Sequence, residues 1–197
     1  MTPSLFLAST SPRRRELLAQ IGLRFEVLRI DVDETRQPGE SPEHYVQRLA
    51  EDKARAGLAR CAPGAVVIAA DTTVALGDDE LGKPASFAEA AAMWRRLSGS
   101  EHRVLTGVAV GRLRPAGGDE LLVQVVTTGV RFRDIAQEEM AAYWASGEPA
   151  DKAGGYAIQG RGAVFVAGIA GSYSNVVGLP LAETAAMLAR FGVSVWE

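Results

Sequence analysis

The sequence predicts an α/β fold: a mixed, partly antiparallel twisted sheet flanked by helices, in two lobes around a central cleft. Segments with helical spacing alternate with β-branched, apolar runs along the whole chain. Two strand-like runs in the middle, His102–Leu113 and Leu121–Phe132, are separated by Pro-Ala-Gly-Gly-Asp. That turn marks an antiparallel hairpin and excludes a purely parallel sheet. No internal repeat, low-complexity tract or long polar linker interrupts the 197 residues, so 1–197 reads as a single domain.

In chain order, LFLAS (Leu5–Ser9) is a short apolar strand. Ser11 and Pro12 read as the N-cap and first residue of a helix with Leu17, Leu18 and Ile21 on its apolar face and Gly22 as its stop. Arg13, Arg14 and Arg15 crowd its first turn, where the macrodipole is already positive and acidic residues are the stabilising choice. Three cations there suit an anion better than they suit the helix. RFEVLRI (Arg24–Ile30) alternates like a strand and ends in the acidic DVDET (Asp31–Thr35). Ser41-Pro42-Glu43 opens a helix to Arg60, with Tyr45, Val46, Leu49, Ala50 and Ala54 at helical spacing. Ala65–Leu76 is the most strand-like segment, apolar enough to be central. Ser86–Gly99 is a capped helix with a glycine stop, and Ala136–Gly147 is a second helix. Ala163–Ile169 reads as a strand and Pro180–Arg190 as the closing helix.

With 47% apolar and 23% charged residues the chain can bury a sizeable core. A net charge of −3 argues against general nucleic-acid binding, which needs a basic footprint. Cys61 is the only cysteine, so no disulfide framework or thiolate metal cluster is expected, and a cytoplasmic setting fits. No stretch approaches the length of a membrane span, so no membrane partner is expected. SPRRRELL resembles a twin-arginine signal, but Glu16, Gln20, Arg24 and Glu26 interrupt the apolar region such a signal needs.

Asp71 is the leading candidate for chemistry. It follows the apolar run Ala65–Ala70 inside a β-forming segment, where an aspartate is neither turn nor cap and an unpaired carboxylate is costly. Ligands of open α/β sheets gather at the carboxyl ends of strands, so a metal-binding or general-base role suits it. Asp31, Asp33 and Glu34 form either a solvated loop or a second source of carboxylates for a hard cation such as Mg²⁺. GDDELGK (Gly77–Lys83) has P-loop spacing, but Pro84 stands where that motif needs Ser or Thr; it reads as a hairpin turn. Lys83 is then a surface lysine or a point charge for an anion. Lys53 sits among Glu51, Asp52 and Arg55 and reads from its own segment as part of a charged helix face. His44 and His102 form no HExxH pair, and no G-x-S-x-G elbow exists. DKAGGYAIQGRGAVFV (Asp151–Val166) is either a plain turn or a ligand loop in which Gln159 could read a nucleobase edge. GSYSNVVGLP (Gly171–Pro180) is similar: small, polar and placed before a helix. A cationic helix start, two acidic strand ends, two lysines and Gly-rich loops suit a polyphosphate bound with a divalent metal.

LASTSPRRRELLAQIG, VDET, RLAEDKA, AADTTV, LGKP, LSGSEHRVLTGV, DKAGGYAIQG and GSYSNVVGLPL, in this order across nearly the whole chain, together resemble the Maf family. That resemblance implies a Maf/Ham1-like fold and metal-dependent hydrolysis of nucleoside triphosphates to monophosphate and pyrophosphate. It implies phosphate binding by Arg13 and Arg14 of SPRR and by Lys53 and Lys83; at the same helix start Ser9 and Ser11 offer hydroxyl donors. Glu34 and Asp71 become ligands of Mg²⁺ or Mn²⁺, and Asp71 also the proton acceptor. Arg13, Thr72 and Gln159 match the Arg, Thr and Gln of the dTTP/UTP branch, as against the branch acting on 7-methyl-GTP. Modified pyrimidine nucleotides are further candidate substrates if the enzyme cleans the nucleotide pool. GGYAIQG departs from the more frequent GAYGIQG at Gly155 and Ala157. The competing expectations are a nucleotide-sensing regulator of septum formation without catalysis, which the intact Glu34 and Asp71 disfavour, and an RNA-binding module, which the acidic charge disfavours. The resemblance leaves room for a homodimer.

Overall fold

A computed structural model describes residues 3–114 and 118–196. The chain runs β1 (Leu5–Leu7), α1 (Pro12–Gln20), β2 (Glu26–Val27), α2 (Pro42–Leu58), β3 (Val66–Leu76), β4 (Asp79–Leu81) and α3 (Phe87–Leu97). It continues through β5 (Glu101–Leu113), β6 (Asp119–Phe132), α4 (Gln137–Ala145), β7 (Val166–Ala170), α5 (Tyr173–Val177) and α6 (Leu181–Arg190). Two 3₁₀ turns, Ala153–Gly155 and Arg161–Phe165, lie between α4 and β7. Among the described residues, seven strands form one sheet in the order β2-β1-β3-β5-β6-β7, with β4 paired to β3. β1 is parallel to β2 (Phe6 opposite Glu26) and to β3 (Phe6 opposite Val67). β4 and β7 run antiparallel to β3 and β6. The sheet is therefore mixed, as the sequence predicts.

Differences from the sequence reading have local causes. Of the expected strand Arg24–Ile30 only Glu26 and Val27 are strand, with one further bond from Leu28 N to Leu7 O at 2.9 Å, because their partner β1 is itself only three residues long. The expected strand Ala163–Ile169 begins instead at Val166, since Arg161–Phe165 winds as a 3₁₀ turn. Ser11 stands at the start of α1 without a side-chain cap bond, whereas Ser41 and Ser86 accept from the amides of His44 and Glu89. GSYSNVV contains the short helix α5. GDDELGK is the β3–β4 hairpin. Of the turn between β5 and β6, Pro115, Ala116 and Gly117 lie outside the described residues; Arg114 N donates to Gly118 O at 2.9 Å across it.

The chain divides into two compact units. The first comprises Met1–Asp71, Thr106–Val126 and Gly178–Glu197. Its core sets Ala50, Ala54 and Leu58 of α2 against Ala8, Val67, Ala69 and Ala109. Alanine dominates this interface, which lets helix and sheet approach closely. The second unit comprises Thr72–Leu105 and Thr127–Val177. Its core is aromatic: Trp94 of α3, Phe132, Tyr143, Tyr156 and Phe165. Phe132 meets Tyr156 edge-on at 4.8 Å, and Tyr143 meets Phe165 likewise at 5.1 Å, the geometry that ring quadrupoles favour. His102, fully buried here, bonds the Tyr156 hydroxyl through Nε2 at 2.8 Å, and burial lowers its pKa to about 4.

The closeness of α2 to β5 generates a test. A methyl group at Gly107 would overlap the Val46 carbonyl oxygen and lie 3.0 Å from the Gln47 nitrogen. Gly107→Ala should therefore cost about 1–3 kcal/mol. Calorimetry should show a Tm lower by about 3–10 °C; a variant melting with the parent would show that the helix is not seated this closely.

Candidate functional site

The first unit gathers six of the residues singled out in the sequence: Ser9, Arg13, Arg14, Glu34, Lys53 and Asp71. β1 delivers the chain through Ala8–Ser11 to the start of α1. Arg14 Nε donates to the Gly178 carbonyl at 2.8 Å, and its Nη1 donates to Ser9 Oγ at 3.2 Å. Ser9 Oγ also accepts from the Ser11 amide at 3.3 Å. Burial lowers the Arg14 pKa and Arg13 adds to this, while Asp71 and Glu34 oppose it. Arginine keeps its charge through such shifts, so the helix start presents a desolvated cation. The same electrostatics places Arg13, Asp71 and Glu34 within interaction range of Arg14. Arg13 is half-buried and Arg15 exposed.

Lys53 of α2 ties the acidic residues together. Its Nζ lies 2.6 Å from Glu34 Oε1 and 2.7 Å from Asp71 Oδ1. The Lys53 and Asp71 side chains are 12% and 14% exposed, while that of Glu34 is 54% exposed. One ammonium thus pairs with two carboxylates from different parts of the chain, an arrangement hidden in a helix segment that reads as an ordinary charged face. Removing one partner of a partly desolvated pair costs more than breaking a surface ion pair, because the remaining charge is left without compensation.

Sequence reasoning missed the residues that hold the Glu34 loop. Tyr45, expected on the apolar face of its helix, donates its hydroxyl to the Glu34 carbonyl at 3.1 Å. Arg48, one turn further along α2, donates to Thr35 O at 3.1 Å and grips both Glu40 carboxylate oxygens at 2.6 and 2.8 Å. Asp33 Oδ1 accepts from the Thr35 amide at 2.8 Å. Tyr45 and Arg48 share a helix face by their i, i+3 spacing, the one sequence signal that could have linked them.

Two carboxylates meeting at one cationic point fit a hard divalent ion, and Mg²⁺ in particular is often held by one or two carboxylates and substrate phosphates. Among the described residues no group of three or more His, Cys, Asp or Glu is arranged to hold a metal.

The second unit holds Thr72, Lys83 and Gln159. Thr72 follows Asp71 along β3, is half-buried, and by strand alternation points to the opposite face. Lys83 and Gln159 are both exposed. Their motifs touch through the backbone, Gly154 N donating to Gly82 O at 3.0 Å, and Trp94 Nε1 of α3 donates to Gly155 O at 3.1 Å. Gly154 and Gly155 have φ of +68° and +66°, a path that disfavours side chains and explains the glycine pair. The buried Asn175 of GSYSN donates to Val104 O and Thr128 Oγ1, both at 3.0 Å, so it braces β5 and β6.

The family model for Maf-like proteins matches residues 4–191. A dTTP/UTP pyrophosphatase of Anaeromyxobacter dehalogenans (strain 2CP-C) is 54% identical over 198 residues, covering 100% of this chain and 99% of that protein. A dTTP/UTP pyrophosphatase of Myxococcus xanthus (strain DK1622) is 57% identical over 189 residues, covering 96% and 93%. The structure of the Staphylococcus aureus Ham1 protein is 17% identical, with a TM-score of 0.39 over 64% of this chain and 71% of that one, too slight a likeness to carry an argument.

The Arg48–Glu40 clamp generates a pH test. The Arg48 hydrogen bonds hold the Glu40 carboxyl down at about 2, against an ordinary value of 4.5. Because the folded value is the lower one, the clamp's stabilisation is complete above about pH 4.5 and is lost as pH falls toward 2. Glu40→Gln should be less stable than the parent in urea at pH 7, with the gap closing across that window. A gap independent of pH would remove the clamp's electrostatic role.

Proposed function

The chain belongs to the Maf family, and on that premise we propose that it hydrolyses nucleoside triphosphates, dTTP and UTP foremost, to nucleoside monophosphate and pyrophosphate. The single observation that carries this reading is the convergence of Glu34 and Asp71 on Lys53, with Arg14 of the helix start in electrostatic range of both carboxylates. Positive charge for a triphosphate and carboxylates for a base and a metal are what the reaction needs.

In this proposal a water oxygen attacks the α-phosphorus while the bond to the β-phosphate bridging oxygen breaks. Asp71 accepts the proton from the attacking water, and pyrophosphate leaves. Arg13 and Arg14, with the free amides of the helix start and Ser9, bind phosphate oxygens. Lys53 and Lys83 stabilise charge developing toward the leaving pyrophosphate. Glu34 and Asp71 would hold a divalent cation, Mg²⁺ or Mn²⁺, which when bound supplies positive charge against the phosphate oxygens. Arg13, Thr72 and Gln159 select the pyrimidine, with Gln159 offering the base edge a paired donor and acceptor. Among the described residues no helix is long and apolar enough to cross a membrane. The chain acts as a single catalytic domain on free nucleotides in the cytoplasm.

Incubation with dTTP or UTP and Mg²⁺ should release monophosphate and pyrophosphate in equal amounts. Orthophosphate with diphosphate as products, or no turnover with any divalent cation, would overturn the proposal. Asp71→Asn should lower kcat by about 10²–10⁴-fold with the circular dichroism spectrum retained; unchanged turnover would remove Asp71 from the role of base.

A further inference from the structure

The turn that carries Gln159 is built around a carboxylate that no reading above has used. Glu148, just beyond α4, accepts from the Arg161 amide through Oε2 at 2.9 Å and from the Gly162 amide through Oε1 at 3.1 Å. The Tyr143 hydroxyl donates to Glu148 Oε1 at 2.6 Å and in turn accepts from the Ala157 amide at 3.1 Å. Backbone amides on both sides of Gln159 therefore end, directly or through one hydroxyl, on a single side chain. Glu148 is itself tied down: its amide donates to Ser146 Oγ at 3.3 Å, and Lys152 Nζ donates to its carbonyl at 2.7 Å.

The packing is tight enough to dictate residue type. A methyl group at Gly160 would overlap the Glu148 carboxylate, and one at Gly162 would lie 2.6 Å from the Tyr143 hydroxyl and 2.9 Å from the Ala157 carbonyl oxygen. Burial pushes the Glu148 carboxyl up, but the Tyr143 hydroxyl, the two amides and Lys152 outweigh it, so its pKa is lowered. At neutral pH it is an acceptor-only carboxylate facing donors alone. Gln159 is exposed, so core packing does not orient it and its direction follows from the backbone beneath it.

We propose that Glu148, with Tyr143, is a positioning residue for base selection: its carboxylate fixes the Ala157–Gly162 turn and so sets where the Gln159 amide meets the nucleobase. The inference rests on the reading of Gln159 as the base contact. Glutamine in place of Glu148 exchanges one carboxylate oxygen for an NH₂ donor that faces a backbone N–H, and the turn relaxes while the phosphate-binding and acidic residues of the first unit stay untouched.

The test measures kcat and KM for UTP and ATP in the parent, Glu148→Gln, Tyr143→Phe and Gln159→Ala, with hydrogen exchange of the backbone amides. Glu148→Gln should raise KM for UTP about tenfold with kcat within about twofold, and lower the UTP-over-ATP ratio of kcat/KM about tenfold. Exchange at Ala157, Arg161 and Gly162 should accelerate without a comparable rise in the sheet. Tyr143→Phe, which keeps the carboxylate, should shift the same quantities by less and serves if Glu148→Gln does not fold. If Gln159→Ala abolishes the preference for UTP while Glu148→Gln and Tyr143→Phe lower turnover of both nucleotides equally, Glu148 is only structural and the inference fails. If Gln159→Ala leaves the preference intact, the base reading of Gln159 fails first and takes the inference with it.

Discussion

The placement of one ammonium group, Lys53 Nζ between Glu34 and Asp71, is the constraint on which the candidate site depends. Two carboxylates approaching a common point repel each other, and a partly desolvated aspartate inside a strand is costly without a partner. Lys53 meets both needs with contacts of 2.6 and 2.7 Å. It reaches Asp71 because α2 lies against β3 through small residues, Ala50 and Ala54 facing Val67 and Ala69. A bulkier interface would lift the helix and withdraw the lysine from the strand end. The alanine-rich core and the polar centre are thus one arrangement.

Two of the site-bearing loops are each held by a carboxylate with a structural role. Glu40 and Arg48 hold the Glu34 loop in the first unit, and Glu148 and Tyr143 hold the Gln159 turn in the second. Both carboxylates sit below their ordinary pKa because donors surround them. The parallel has a physical basis: a loop cannot satisfy its amides by a regular ladder, so an anchored side-chain acceptor must do it. Residues that hold a loop this way leave other side chains, Glu34 and Gln159 among them, exposed for other partners.

Much of the fold was legible in the sequence. Ser41 and Ser86 announced their helices with real caps, β3 was visible as an apolar β-branched run, and GDDELGK was a hairpin rather than a phosphate loop. Local chemistry misled where pairing decides. Arg24–Ile30 has strand alternation throughout but is strand only at Glu26 and Val27, and Ala163–Phe165 has strand composition but winds as a 3₁₀ turn. Among site residues, Asp71 stood out alone because an acidic residue inside a strand conflicts with its surroundings. Lys53 did not, because a lysine on a charged helix face conflicts with nothing nearby.

The sequence by itself determined the mixed α/β class, the cationic helix start and, through motif order, the family. Those follow from periodicity, capping and residue type, which are properties of short segments. Only the tertiary structure decided that Lys53 belongs to Asp71 and Glu34, that Tyr45 serves the Glu34 loop rather than the core, and that Glu148 underlies Gln159. Each of these joins groups 11 to 19 residues apart in the chain. Nothing within either segment records its partner; packing of helix on sheet and turn on helix brings the charges into range.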